Sequence, residues 1–146
     1  MAARPTITHS NASDRHPEAE TGARTAIATR SAVRTLLQAE GLPIFIAGAV
    51  AFGTIGGPWL AFIPLLLVPD LSMVGYLRDT RLGALTYNLG HNLVTAGVML
   101  GLGLTAGVGW LAIAGSVALA HIGMDRLMGY GLKYPTAFKD THIQHV

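Results

Sequence analysis

Asp70, His91, His121 and Asp125 are acids and imidazoles set inside otherwise apolar stretches of this 146-residue chain. Such residues supply acid–base and metal chemistry. Asn88, His91, Asn92 and Thr95 fall at i, i+3, i+4 and i+7, and His121 and Asp125 at i and i+4, so each set shares a face if its segment is helical. Two chemistries suit them. In one, His91, His121 and Asp125, with Asp70 or His142 as a further ligand, hold one divalent ion; imidazole and carboxylate without thiolate suit Zn, Mn, Fe or Mg, and an open position activates water. In the other, a buried Asp kept protonated by desolvation donates to a double bond or epoxide while a His takes a proton back, as isoprenoid cyclisation or isomerisation needs. Both take a hydrophobic, lipid-like small molecule. Met73, Met99, Met124 and Met128 would wall its path, although packing explains methionines first.

The elements that must position these residues are membrane spans. Hydrophobic residues make up 51% of the chain and charged ones 12%, against ~25% charged in a soluble domain. The predicted fold is all-α: a four-transmembrane-helix bundle at 31–128, a disordered cytoplasmic tail at 1–30, and a cytoplasmic C-terminal segment at 129–146 folded under the bundle. The spans run about Leu42–Gly57, Trp59–Leu77, Ala84–Leu104 and Trp110–Met128, with a short surface helix at Ser31–Ala39 before the first. Pro64, Pro69 and Asp70 should bend the second and free backbone groups for partners within the bundle. Gly83, Gly90 and Gly97 at seven-residue intervals, with Gly97 and Gly101, predict close packing of the third. Asp70, His91 and His121 each lie about seven residues, or ~10 Å, inside the same boundary.

That boundary is cytoplasmic by the positive-inside rule. Arg4, Arg15, Arg24, Arg30, Arg34, Arg78, Arg81, Arg126, Lys133 and Lys139 all fall in the two tails, their junctions with the spans, or the second-to-third loop. Trp59 and Trp110 mark the opposite interface, and Tyr76, Tyr87, Tyr130 and Tyr134 the inner one. The basic residues therefore serve topology rather than nucleic acid. With no cysteine in the chain, disulfides and thiolate chemistry are excluded. Asn11-Ala12-Ser13 matches a glycosylation triplet but precedes a span on the inner side, so it carries no weight.

Pointing the polar stripes at lipid would cost ~2.5–3.5 kcal/mol for an Asp at a helix centre, so they should converge inside the bundle. A purely structural polar knot, with Asp125 orienting His121, is the plain alternative to a functional site. The blocks Glu40-Gly41, Pro69 to Tyr76, Tyr87 to Asn92, Ala120 to Arg126, Gly129 to Pro135 and Phe138 to His142 resemble the small bacterial integral-membrane family catalogued as domain-of-unknown-function family 4260, over about Leu37 to His142. That resemblance implies a bacterial inner-membrane protein whose motifs include these polar positions and the inner tail, and brings no established activity. Glu40, Tyr87, Asn88, Asn92, Arg126, Tyr130, Tyr134, Asp140 and His142 lie in these blocks and are expected to bind substrate or support the site. The segment from Tyr130 to His142 would act as a lid, or as an anchor through Lys133 and Lys139. A lipid- or isoprenoid-processing enzyme fits best. A proton or metal-ion transporter formed by a homo-oligomer, or an accessory subunit of a larger complex, remains the alternative.

Overall fold

The computed structural model describes residues 17–146. Arg4, Arg15 and the Asn11–Ser13 triplet lie outside the described residues. The architecture is all-helical, with a single isolated antiparallel bridge, Lys133 to Thr141, among the described residues.

Helix α1 (Pro17–Ala39) corrects the expected tail: residues 17–30 are helical, not coil, and 18–30 are exposed. Alanine, arginine and glutamate favour helix without needing an apolar period, and Glu18 and Glu20 complement the positive N-terminal end of the helix dipole. A single turn residue, Glu40, joins α1 to α2 (Gly41–Thr54). Gly56, at φ +85°, makes the turn into α3 (Trp59–Leu66). Two helical stretches, Glu18–Thr54 and Trp59–Leu77, are long and apolar enough to cross a membrane.

The second of these does not stay α-helical. It tightens into a 3-10 segment, Val68–Leu77, where Pro69 supplies no backbone N–H. The Asp70 amide bonds Leu67 instead of reaching back to Leu66, so the Leu66 carbonyl is left for another partner. The freed backbone group expected from the two prolines is present.

The third predicted span is divided. Helix α4 (Thr80–Gly90) is capped by Asp79, whose carboxylate accepts from the Leu82 amide, and ends at His91. Asn92 then caps α5 (Leu93–Thr105), accepting from the Thr95 amide at 2.8 Å while its own amide donates to the Asn88 carbonyl at 2.7 Å. A side chain that satisfies both helix ends competes with the continuous ladder, so the expected single stripe is broken at its centre.

Helix α6 (Gly109–Leu127) is the buried centre. It runs antiparallel to α2, with Gly41 opposite Gly123 and Gly48 opposite Ser116 and Ala120, and antiparallel to α5, with Gly103 opposite Ala112 and Leu100 opposite Gly115. A β-carbon on Gly48 would lie 2.3 Å from the Ala120 nitrogen. The close-packing glycines are therefore these; Gly97 and Gly101, expected to serve that purpose, face outward with nothing near them. Gly83 and Gly90 do pack, against Tyr76 and Ser72 of the 3-10 segment. Phe52, Phe62, Leu66, Val117 and Ala120 form the main apolar cluster, closed by Trp59 edge-on to Phe52.

After α6, Gly129 at φ +84° reverses the chain. The C-terminal segment returns as a strap held to α4. Asn88 donates to the Lys133 carbonyl at 2.9 Å and accepts from its amide at 2.7 Å, an amide-for-backbone pairing across 45 residues of sequence.

Candidate metal and substrate site

His91 and His121 meet where α4, α6 and the 3-10 segment converge. His91 stands at the end of α4, its ring stacked on Tyr87 at 3.7 Å, and its Nδ1 is 2.9 Å from the Tyr87 carbonyl. His121 is wholly buried on α6, with Nδ1 2.6 Å from the Leu66 carbonyl released by the 3-10 transition. A carbonyl can only accept, so both rings carry a proton on Nδ1. Their Nε2 atoms then face each other at 3.0 Å.

Two carboxylates close on the same point. Asp70 Oδ1 is 3.4 Å from His91 Nε2 and 3.5 Å from His121 Nε2; Asp125 Oδ2 is 3.8 and 3.6 Å away. The Tyr87 hydroxyl donates to that same Asp125 oxygen at 2.9 Å. With neutral rings, every atom directed at the centre is an acceptor, an arrangement that calls for a cation. First-row ions with ligand bonds of ~2.0–2.2 Å place neighbouring ligands on the order of 3–3.5 Å apart, which matches the Asp70, His91 and His121 triangle. Asp70 is thus the nearer carboxylate, and Asp125, placed first in the sequence-based ligand set, sits slightly further out under the Tyr87 bond.

Asp70 and Asp125 also border a cavity of about 520 Å3. Its walls include Leu67, Met73, Met124, Met128, Phe138 and Tyr130, with Lys133, Lys139, Thr141 and Gln144 from the strap. Met73, Met124 and Met128 line this cavity; Met99 borders a separate apolar groove of about 390 Å3.

The remaining sequence candidates divide by position. Asn88 clamps the strap and Asn92 caps α5, so both act on architecture. Glu40 is exposed at the α1–α2 turn, away from the cluster. Arg126 packs beside Gly41 with a buried Nε that has no hydrogen-bond partner among the described residues. Tyr134 lies half-exposed, edge-on to His145, and Asp140 ties the strap's own turn through Thr136 and His145. His142 packs over Gly131 and is absent from the ligand triangle.

Sequence reasoning missed Lys133 as a site residue, having assigned its charge to topology or lipid anchoring. It is 7% exposed, with Nζ 3.7 Å from the Phe138 ring centre, 4.3 Å from Tyr87 and 5.1 Å from Tyr76. Burial pushes its ammonium below the ordinary lysine range, opposed by the fields of Asp125 and Asp70. Burial likewise lowers His142, against the Leu132 carbonyl and with help from Arg126. The hydrogen bonds of Thr136 and His145 hold the Asp140 carboxyl below the usual range. Two glycines before Lys133 and the Tyr-Pro after it were the available signal for a turned-back strap.

Fold and site together define a helical protein in which buried His91, His121 and Asp125 meet a partly exposed Asp70 beside a largely apolar cavity. The chain belongs to the family described as Domain of unknown function (DUF4260), whose model matches residues 34–146. Comparison with the curated proteins and with the solved structures gives no match.

Proposed function

We propose that this protein is a membrane-embedded, divalent-metal-dependent hydrolase of a lipid-like amphiphile, with Asp70, His91 and His121 as ligands and Asp125 as proton acceptor. The observation that carries this reading is the orientation of the two imidazoles: each commits Nδ1 to a backbone carbonyl and presents Nε2 to the same point as two carboxylates. The bound ion would polarise the scissile bond and acidify a water. Asp125, oriented by Tyr87, would take the proton from water as its oxygen attacks, and would return it to the departing oxygen.

Membrane embedding is supported by what the helices leave uncovered. Within the apolar windows of Glu18–Thr54 and Trp59–Leu77 only 17% of residues are buried, which does not resemble a soluble core. Along Trp59–Leu77, rises of ~1.5 Å in the α part and ~2.0 Å in the 3-10 part give about 32 Å, close to the ~30 Å hydrocarbon thickness. A four-span arrangement would take α2, the Trp59–Leu77 helix, α4 with α5, and α6 as its spans. Arg78, Arg81, Arg126, Lys133 and Lys139 would then share the face on which the cavity opens, which the positive-inside rule makes cytoplasmic.

The 3.0 Å contact between the imidazoles also admits a shared proton, as the metal-free acid–base reading requires. Metal analysis of the purified full-length chain separates the two. The hydrolase reading expects about one divalent ion per chain, lost in Asp70→Asn and His121→Ala, with turnover of a membrane lipid extract lost in parallel. Turnover that survives complete chelation would exclude it.

A further inference from the structure

Lys133 poses a charge problem that the hydrolase site does not solve. Its side chain is more than nine-tenths buried, and among the described residues its ammonium has no hydrogen bond and no ion pair, only the faces of Phe138, Tyr87 and Tyr76. Aromatic faces recover part of the lost hydration but do not neutralise the charge. Asp70 and Asp125 share the cavity, yet both lie beyond ion-pair distance of Nζ. In the metal reading Asp70 binds the ion and Asp125 stands beside it under the Tyr87 bond, so the ion's two positive charges would balance their two negative ones. As metal ligands the imidazoles would be neutral. What remains is the positive charge of Lys133, with Lys139 bordering the same cavity.

The backbone holds this charge in place. Lys133 is fixed through both its amide and its carbonyl by Asn88, and by its bridge to Thr141. With its backbone so held and its ammonium set against the Phe138, Tyr87 and Tyr76 rings, Lys133 borders the same cavity as the apolar Leu67, Met73 and Met124. A cavity of about 520 Å3 with cationic groups and apolar walls suits a small dianion attached to a hydrocarbon chain.

We infer that the cavity recognises an amphiphile with a phosphate monoester head, Lys133 pairing with the phosphate oxygens while the alkyl or isoprenoid chain leaves along the methionine-lined wall. The inference rests on the metal reading and deepens it by naming the substrate class. Phosphate is favoured over carboxylate because two lysines border the cavity and a phosphate monoester brings up to two charges.

Full-length protein in zwitterionic nanodiscs, titrated calorimetrically with hexyl phosphate, hexanoate and hexanol, tests it, with metal content measured on the same samples. Hexyl phosphate should bind at least about tenfold tighter than hexanol, the scale of a charge-assisted hydrogen bond. Hexanoate should fall between them. Lys133→Gln should erase the preference at unchanged metal content, and Lys133→Arg should keep most of it, since the Asn88 clamp uses only backbone atoms of Lys133. One ion per chain with equal binding of hexyl phosphate and hexanol would overturn this inference and leave the metal reading intact. Hexanoate binding as tightly as the phosphate would overturn the choice of head group, and retention of the preference in Lys133→Gln would overturn the role of the lysine. A chain that binds no metal would sink both.

Discussion

The two seams of α6 with α2 and α5 and the junction of α6 with α3, α4 and the 3-10 segment are built in opposite ways. In the seams, glycine brings backbone to backbone: Gly48 meets Ala120, Gly123 meets Phe45, Gly103 meets Ala112. At the junction, helices are interrupted, and side chains reach across the gap to the backbone groups thereby released, as His121 does to Leu66. The seams use regular helix and small residues to fix α6 rigidly. The junction uses irregular helix and large polar residues to place four acceptors around one point. A buried carbonyl needs a partner, so irregular helix is held in the interior where such side chains answer it.

Matched substitutions break or sharpen this contrast. Gly48→Ala should destabilise by ~1–3 kcal/mol or more, because the new methyl meets backbone that cannot rotate away. A denaturant titration in mixed micelles measures it. Asn88→Ala leaves the Lys133 amide and carbonyl unpaired and should cost ~1–3 kcal/mol of strap docking, read as faster proteolysis beside Lys139 with the bundle intact. The strap should also respond to pH. His142 has a folded pKa held below its ordinary ~6.5, so docking is fully stabilised above that value and weakens as pH falls from it toward the depressed folded value. Amide exchange of residues 131–143 between pH 7.5 and 5 should show this, and His142→Gln should flatten the profile. The smallest effect is the control: Gly97→Ala, with open space around it, should be neutral or stabilising by up to ~1 kcal/mol. Equal penalties at Gly48 and Gly97 would remove the distinction between seam and free face.

The same contrast explains what could be read in the sequence. Hydropathy and length marked the apolar helices, and the depth shared by Asp70, His91 and His121 anticipated their convergence, because both follow from the rise of a helix and the cost of burying charge. The division at Asn92 was hidden, since Asn88, Asn92 and Thr95 fit a helical stripe as well as they fit a cap. Gly97 and Gly101 had the spacing of an interface, but spacing does not say which face meets a neighbour; Gly103 and Gly115 do so without an obvious pattern. Lys133 is not legible as a site residue because its burial depends on Tyr76, Tyr87 and Asn88, which lie 45 or more residues away in sequence, together with Phe138. The helix over residues 17–30 has no apolar period to mark it, only the helix-favouring alanine, arginine and glutamate of its composition.

X-ray absorption at the edge of the metal co-purifying with the full-length chain tests the central claim most directly. The account predicts a first shell of nitrogen and oxygen at ~2.0–2.2 Å with outer-shell scattering from two imidazoles, reduced to one in His91→Ala reloaded with the metal in excess. A spectrum without imidazole scattering, or one unchanged in His91→Ala, would contradict it.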